Sequence, residues 1–304
     1  MNSAAVPDIN RPAADLRTFT IGTSSLAAVH GIIARDLARA FRQKSRLLGG
    51  LARPFMWLLF VGTGYNTIAR VEGAVSYQAF VYPGVIVMAA LFGSMLTAIS
   101  TVYDREFGML RLMLASPAGV PALLTGRAIA AAAIGFVQGA VVLVFLPLVI
   151  SVSPAQLMGV VGALALGAFA TSVLGLLVAA PLRSVENFAG VINVVLFPLL
   201  FLSGALYPTS RLPALLRGVA RLNPVTYAVD LMRLAVGQPA EFSATWSIGV
   251  LSAATLVVFG LTALVFNPEQ RFIGRARTGG PERGGPPRGP ELRGPELNAG
   301  RPNQ

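Results

Sequence analysis

The chain has 304 residues, 54% hydrophobic and 12% charged, and its net charge of +11 rests almost wholly on arginine. That charged share is about half the usual share of a soluble domain. Cysteine is absent and His30 is the only histidine, which excludes disulfides, thiolate chemistry and a multi-histidine metal cluster within one chain. No Asp, Glu, Lys or Arg occurs in 78–103, 128–182, 187–210 or 242–268. A soluble core would have to bury each such run on every side. A hydrocarbon slab about 30 Å thick instead needs about 20 apolar residues at ~1.5 Å each. The composition therefore describes an all-α integral membrane protein. Its basic excess suits anionic lipid on the cytoplasmic leaflet rather than nucleic acid.

In chain order, residues 1–25 read as a loosely ordered cytoplasmic lead, and no cleavable signal peptide is expected before the first apolar span. Over 26–48, Arg35, Arg39, Arg42 and Arg46 recur at helical spacing opposite a stripe of Leu26, Val29, Ile33, Leu37 and Ala40. This predicts an amphipathic interfacial helix with arginines towards headgroups and the apolar stripe towards acyl chains, although Lys44 falls near that stripe. Six transmembrane spans follow, at about 50–68 (opened by Arg53-Pro54), 78–102, 125–150, 156–180, 187–206 and 244–266. Asp104-Arg105-Glu106 ends the second span, Ser153-Pro154 turns the third into the fourth, and Asn267-Pro268 stops the sixth. Between the fifth and sixth spans, 207–240 carries Leu212, Leu215, Leu216 and Val219 at helical spacing. Asn223-Pro224 stops that helix, and a second short one follows from Thr226 to about Val236. The pair is expected to lie at the outer interface or to re-enter it. The remaining 269–304 form a basic cytoplasmic tail dominated by Gly and Pro, expected to be disordered.

Orientation follows from Arg and Lys, which mark cytoplasmic segments. With the N-terminus inside, the inner segments hold nineteen and the outer ones five. Both ends are therefore expected in the cytoplasm, with the chain multi-pass in the inner (plasma) membrane.

The six expected spans carry no charge beyond their ends, which disfavours coupling to a proton or ion gradient. Nor does the chain hold a phosphate-binding loop: Lys44-Ser45 is preceded by Gln43 where a glycine is required. No nucleotide, metal or catalytic residue is expected here. Energy for transport would have to come from a separate ATPase. Two other classes stay open on these residues. One is a lipid or sugar transferase, for which Asp104 and Glu106 are the sole close acidic pair in the body. The other is an ion-coupled carrier.

The segment 103–117 (YDREFGMLRLMLASP) followed by Leu124-Thr-Gly-Arg127 resembles the hallmark of type-2 ATP-binding-cassette (ABC) exporter permeases. So does 202–208 (LSGALYP) with 222–233 (LNPVTYAVDLMR). The likeness covers about 26–268 and lies nearest to drug-resistance and nodulation-factor export permeases. It implies a permease subunit of an exporter for a drug-like molecule, lipid or glycolipid. Such a subunit works as a homodimer, each copy docked on a cytoplasmic ABC ATPase subunit that holds ATP and magnesium. It further implies that 26–48 is a connecting helix at the membrane surface. Asp104, Arg105, Glu106, Phe107 and Gly108, on to Pro117, become the coupling element. Pro208, Asn223, Pro224, Tyr227, Asp230 and Arg233 become part of the outer re-entrant helices, with Asp230 and Arg233 placed to pair across one turn.

Overall fold

A computed structural model describes residues 25–62, 64, 76–114 and 119–278. Every regular element among the described residues is helical. In order they are α1 (Ser25–Arg42), α2 (Lys44–Met56), α3 (Tyr77–Thr97), α4 (Ile99–Glu106), α5 (Met109–Leu114) and α6 (Gly119–Leu143). Then come α7 (Pro154–Ala179), α8 (Val185–Phe201), α9 (Ala214–Leu222), α10 (Pro224–Ala235) and α11 (Ala244–Thr278). Among the described residues, four segments are long and apolar enough to cross a membrane: Tyr77–Glu106, Gly119–Leu148, Pro154–Ala179 and Ala244–Phe266. The two others expected to span, Leu47–Gly62 and Val185–Phe201, are apolar but shorter, about 24 and 26 Å at ~1.5 Å per residue. Residues 1–24 of the expected leader and most of the expected tail lie outside the described residues.

Local chemistry sets the ends. Ser76 caps α3 by accepting from the Ala79 N–H. Ser153 and Gln156 form a capping box on α7, with Pro154 in the first turn, where its missing N–H costs nothing. Asn223 accepts from Val225 N–H to start α10, and Gly237, at φ +77°, ends it. There the Gly237 and Gln238 N–H groups return to the carbonyls of Leu234 and Arg233.

Two boundaries differ from expectation. The interfacial helix stops at Arg42, because Gln43 leaves helical geometry and a new helix begins at Lys44. The break explains why Lys44 sat out of phase with the stripe: it belongs to the next helix. At the far end α11 runs on through Asn267-Pro268 to Thr278. A proline forfeits one backbone bond, and the helix-forming Glu269, Gln270 and Arg271 carry the helix past it.

The core is built around α3, whose residues 81–95 are all buried. Small residues let its backbone approach its neighbours, as membrane helices require when lipid is as apolar as leucine. A Cβ on Gly135 of α6 would stand 2.6 Å from the Ala90 carbonyl oxygen, and one on Gly175 of α7 2.9 Å from Met95 Cα. Hydrogen bonds between helices reinforce the packing. The Ser94 and Thr171 hydroxyls lie 2.8 Å apart, and the Tyr82 hydroxyl donates to Val142 O at 2.9 Å.

Candidate coupling site

Near the cytoplasmic-side end expected for the second span, α4 delivers Asp104 into the protein rather than to water. Its carboxylate is 3% exposed and accepts from three arginines: Arg127 Nη2 at 2.5 Å, Arg35 Nη2 at 2.8 Å and Arg39 Nη1 at 3.0 Å. Arg127, on α6, is itself 1% exposed and also donates to Thr101 Oγ1 at 2.9 Å. Arg35 forks further onto Asp36 Oδ1 with both Nε and Nη2. Burial pulls the Arg35 guanidinium down, but the carboxylates of Asp36 and Asp104 outweigh it and hold the group above its ordinary value. The sulfur of Met113 on α5 sits against Arg35 Nη1 at 3.2 Å and Arg127 Nη2 at 3.4 Å. One ion cluster thus joins α1, α4, α5 and α6.

This corrects the picture of α1 as a row of arginines facing headgroups. Arg35 and Arg39 are turned onto Asp104, because a carboxylate buried without partners costs several kcal/mol. Arg42, the last residue of α1, remains exposed, and the side chain of Arg46 lies outside the described residues. Asp104 is likewise not presented outward as part of a docking face.

Its neighbours divide the work. Arg105 Nη1 donates to the carbonyls of Ala179 and Leu182 at 3.1 and 2.7 Å, and its guanidinium stands 5.2 Å over the Phe266 ring. Glu106 Oε2 accepts from Val185 N–H at 2.9 Å, placing a negative charge at the start of α8 where the helix dipole favours it. Phe107 stacks on Tyr103 with ring centroids 5.7 Å apart and is 71% exposed. Gly108 adopts φ +76° with open space around it, so backbone conformation rather than crowding calls for glycine.

The turn at Gly108 launches α5, a short two-faced helix. Leu110 is buried with Val120, Leu123, Leu124 and Phe266, while Met109 and Leu112 (68%) are exposed. Pro117 lies outside the described residues. The result is an apolar surface of Tyr103, Phe107, Met109 and Leu112 seated on a buried ionic base. Sequence reasoning did not single out Asp36 or Met113 for this site, and it quoted Arg127 within the motif 124–127 without giving it a role. Arg127 had a visible signal, as the last charge before the uncharged run 128–182.

The second group lies at the opposite end of α11, whose Ala244–Phe266 segment measures about 33 Å at ~1.5 Å per residue. The expected pairing of Asp230 with Arg233 is replaced by separate partners. Asp230 accepts from the Glu241 and Phe242 N–H groups at 2.8 and 2.9 Å and from the Ser247 hydroxyl at 3.3 Å. Arg233 donates to Gly204 O at 2.6 Å and lies 4.2 Å over the Phe80 ring. Both are short of water: burial raises the Asp230 carboxyl against its three donors, and lowers Arg233 to about 10. Asn223 Nδ2 donates to Leu199 O at 2.7 Å, Tyr227 OH donates to Arg221 O at 2.7 Å, and Pro208 leads into the turn Thr209–Arg211. Glu241 ties that turn down by accepting from the Thr209 hydroxyl and the Ser210 N–H. The short helices α9 and α10, with Pro224 opening the second, are thereby fixed to the ends of α3, α8 and α11.

Long apolar helices, a buried ion cluster and an exposed apolar platform at one end are those of a multi-pass membrane protein. The sequence profile of the ABC-2 type transporter family matches residues 28–237, and the chain belongs to that family. Among similar proteins, nodulation protein J of Rhizobium leguminosarum bv. trifolii is 30% identical over 211 residues, covering 64% of this chain and 75% of that protein. The putative transport permease ycf38 of Cyanophora paradoxa is 29% identical over 209 residues, covering 66% and 71%. Nodulation protein J of Rhizobium meliloti (strain 1021) is 29% identical over 239 residues, covering 72% and 85%.

Proposed function

We propose that this chain is the membrane-spanning subunit of an ATP-driven exporter that moves a hydrophobic or amphipathic compound out of the cytoplasm. A separate cytoplasmic ABC ATPase holds ATP and magnesium, and two permease copies form the membrane part, multi-pass in the inner (plasma) membrane with both ends cytoplasmic. In this reading Leu47–Gly62 and Val185–Phe201 complete six spans, and α9 and α10 are the outer re-entrant pair. The observation that carries the proposal is α5. Exposed apolar residues on a charged base suit a groove in a partner, and a buried ion cluster linking α5 to α1, α4 and α6 lets a push there move several helices as one body.

The experiment is reconstitution. Full-length chain, co-purified with its ATPase subunit into proteoliposomes, should show ATP-dependent accumulation of an amphiphilic fluorescent dye, while the chain alone should hydrolyse nothing. ATP-independent turnover or transport by the isolated chain would refute the reading.

A further inference from the structure

The first apolar segment was expected to keep its charge at its end. Because α2 begins at Lys44, Arg53 instead lies nine residues into the helix, about 14 Å along it at ~1.5 Å per residue. Its guanidinium stands 5.0 Å over the ring of Phe92. Phe92 is twelve residues from Asp104 and fifteen from Tyr77 along the segment Tyr77–Glu106, so Arg53 sits about 18 Å from one end and about 22 Å from the other. The neighbouring helix gives the same depth. Gln138, whose amide fills the space a Cβ on Gly93 or Gly50 would take, is eleven residues beyond Arg127. Arg53 therefore lies inside the apolar part of the bundle, away from both ends of Tyr77–Glu106.

A cation at that depth is costly and usually marks a substrate or ion path. Every arginine of the ion cluster has a carboxylate. Arg53 has none among the described residues, and its guanidinium lies against the Phe92 face. The Arg53 side chain lies over the Phe92 ring. It is nonetheless exposed, on a face it shares with exposed Met56 and Phe60 at i+3 and i+7. The following residue, Pro54, cannot donate to the backbone, and the helix loosens into the π-turn Trp57–Gly62 one turn later. Such turns accumulate at functional positions.

Resting on the exporter reading, we propose that Arg53 is the cargo-recognition cation and that the exported compound is an anionic amphiphile. Its phosphate, sulfate or carboxylate bonds the open edge of the guanidinium while its apolar part lies along Met56 and Phe60. Phe92 holds the guanidinium plane by cation–π stacking and leaves the N–H edge to the ligand.

The test uses full-length protein with Trp246→Phe, so that Trp57, one turn from Arg53, is the remaining tryptophan. Energy transfer from Trp57 to dansyl-labelled dodecyl phosphate is compared with transfer to the dansyl-labelled dodecyltrimethylammonium analogue, in nanodiscs of phosphatidylcholine. The phosphate probe should bind on the order of tenfold more tightly, the effect of one charge-assisted contact. R53Q should erase that preference, R53K should retain part of it, and F92L, which keeps the charge, should weaken phosphate binding severalfold. Equal binding of both probes by wild type, or an unchanged preference in R53Q and F92L, overturns the proposal. Full competition by phosphatidylglycerol added to the nanodisc also overturns it, by making bilayer lipid the ligand. The assay needs no ATPase, so failed transport in proteoliposomes and failed binding here remain separate results.

Discussion

Asp104→Asn is the sharpest perturbation of the ion cluster. The amide keeps the shape but removes the carboxylate that bonds Arg127, and takes the five-membered cluster of Arg35, Arg39, Arg127, Asp36 and Asp104 from +1 to +2. Arg35 and Arg39 are about a third exposed and can turn to water, so their share of the loss is small. Arg127, 1% exposed, cannot. Leaving it uncompensated should cost about 3–5 kcal/mol, or roughly 10 °C in apparent melting midpoint at about 2–4 °C per kcal/mol. The assay is thermal unfolding of the detergent-solubilised full-length protein, read by tryptophan emission. The pair D104L with R127M, which removes both buried charges, should recover most of the loss, with an interaction of about 2–3 kcal/mol in a double-mutant cycle. A D104N protein that melts within about 1 °C of wild type would refute the reasoning, as would strictly additive effects.

Further expectations concern other parts of the molecule. Gly108→Ala forces an alanine to φ +76° at about 1–2 kcal/mol; since its surroundings are open, the loss should show in ATPase stimulation of the complex more than in melting. Glu106→Gln removes a charge from the start of α8, worth about 0.3–1 kcal/mol, and should lower stimulation likewise; normal stimulation in both variants would count against a coupling role. Gly135→Val meets the Ala90 carbonyl at 2.6 Å and should destabilise by about 1–3 kcal/mol or more by size-exclusion and melting, whereas Gly162→Ala, with nothing nearby, should be neutral or slightly stabilising. Arg233→Met leaves the buried Gly204 carbonyl without its donor and should lower the melting midpoint by the equivalent of about 1–3 kcal/mol, an effect Arg233→Lys should only partly share.

Much of the helical fold is visible in the residues themselves. Charge-free runs mark the long helices, because each residue in hydrocarbon must be apolar on all sides, and Ser153-Pro154 and Asn223-Pro224 announce their helices by the donors they supply or spare. Periodicity also places Arg35 and Arg39 on one face of α1. What it cannot reveal is what that face meets: Asp104 is 65 and 69 residues away, so the arginines look like lipid anchors until the helices are packed. The same holds for Asp230 and Arg233, whose spacing suggests each other but whose partners come from 204 and 241–247. The place of Arg53 inside a helix depended on one residue, Gln43, where the helix phase resets.

The central claim is that the apolar face of α5 is where an ATPase subunit grips this permease. The chain has no cysteine, so Leu112→Cys can carry a photoactivatable crosslinker as a single label in the co-purified complex, with exposed Val194→Cys on α8 as the comparison. The account predicts efficient crosslinking of position 112 to the ATPase subunit and little from position 194. An active complex in which position 112 never reaches the ATPase would contradict it.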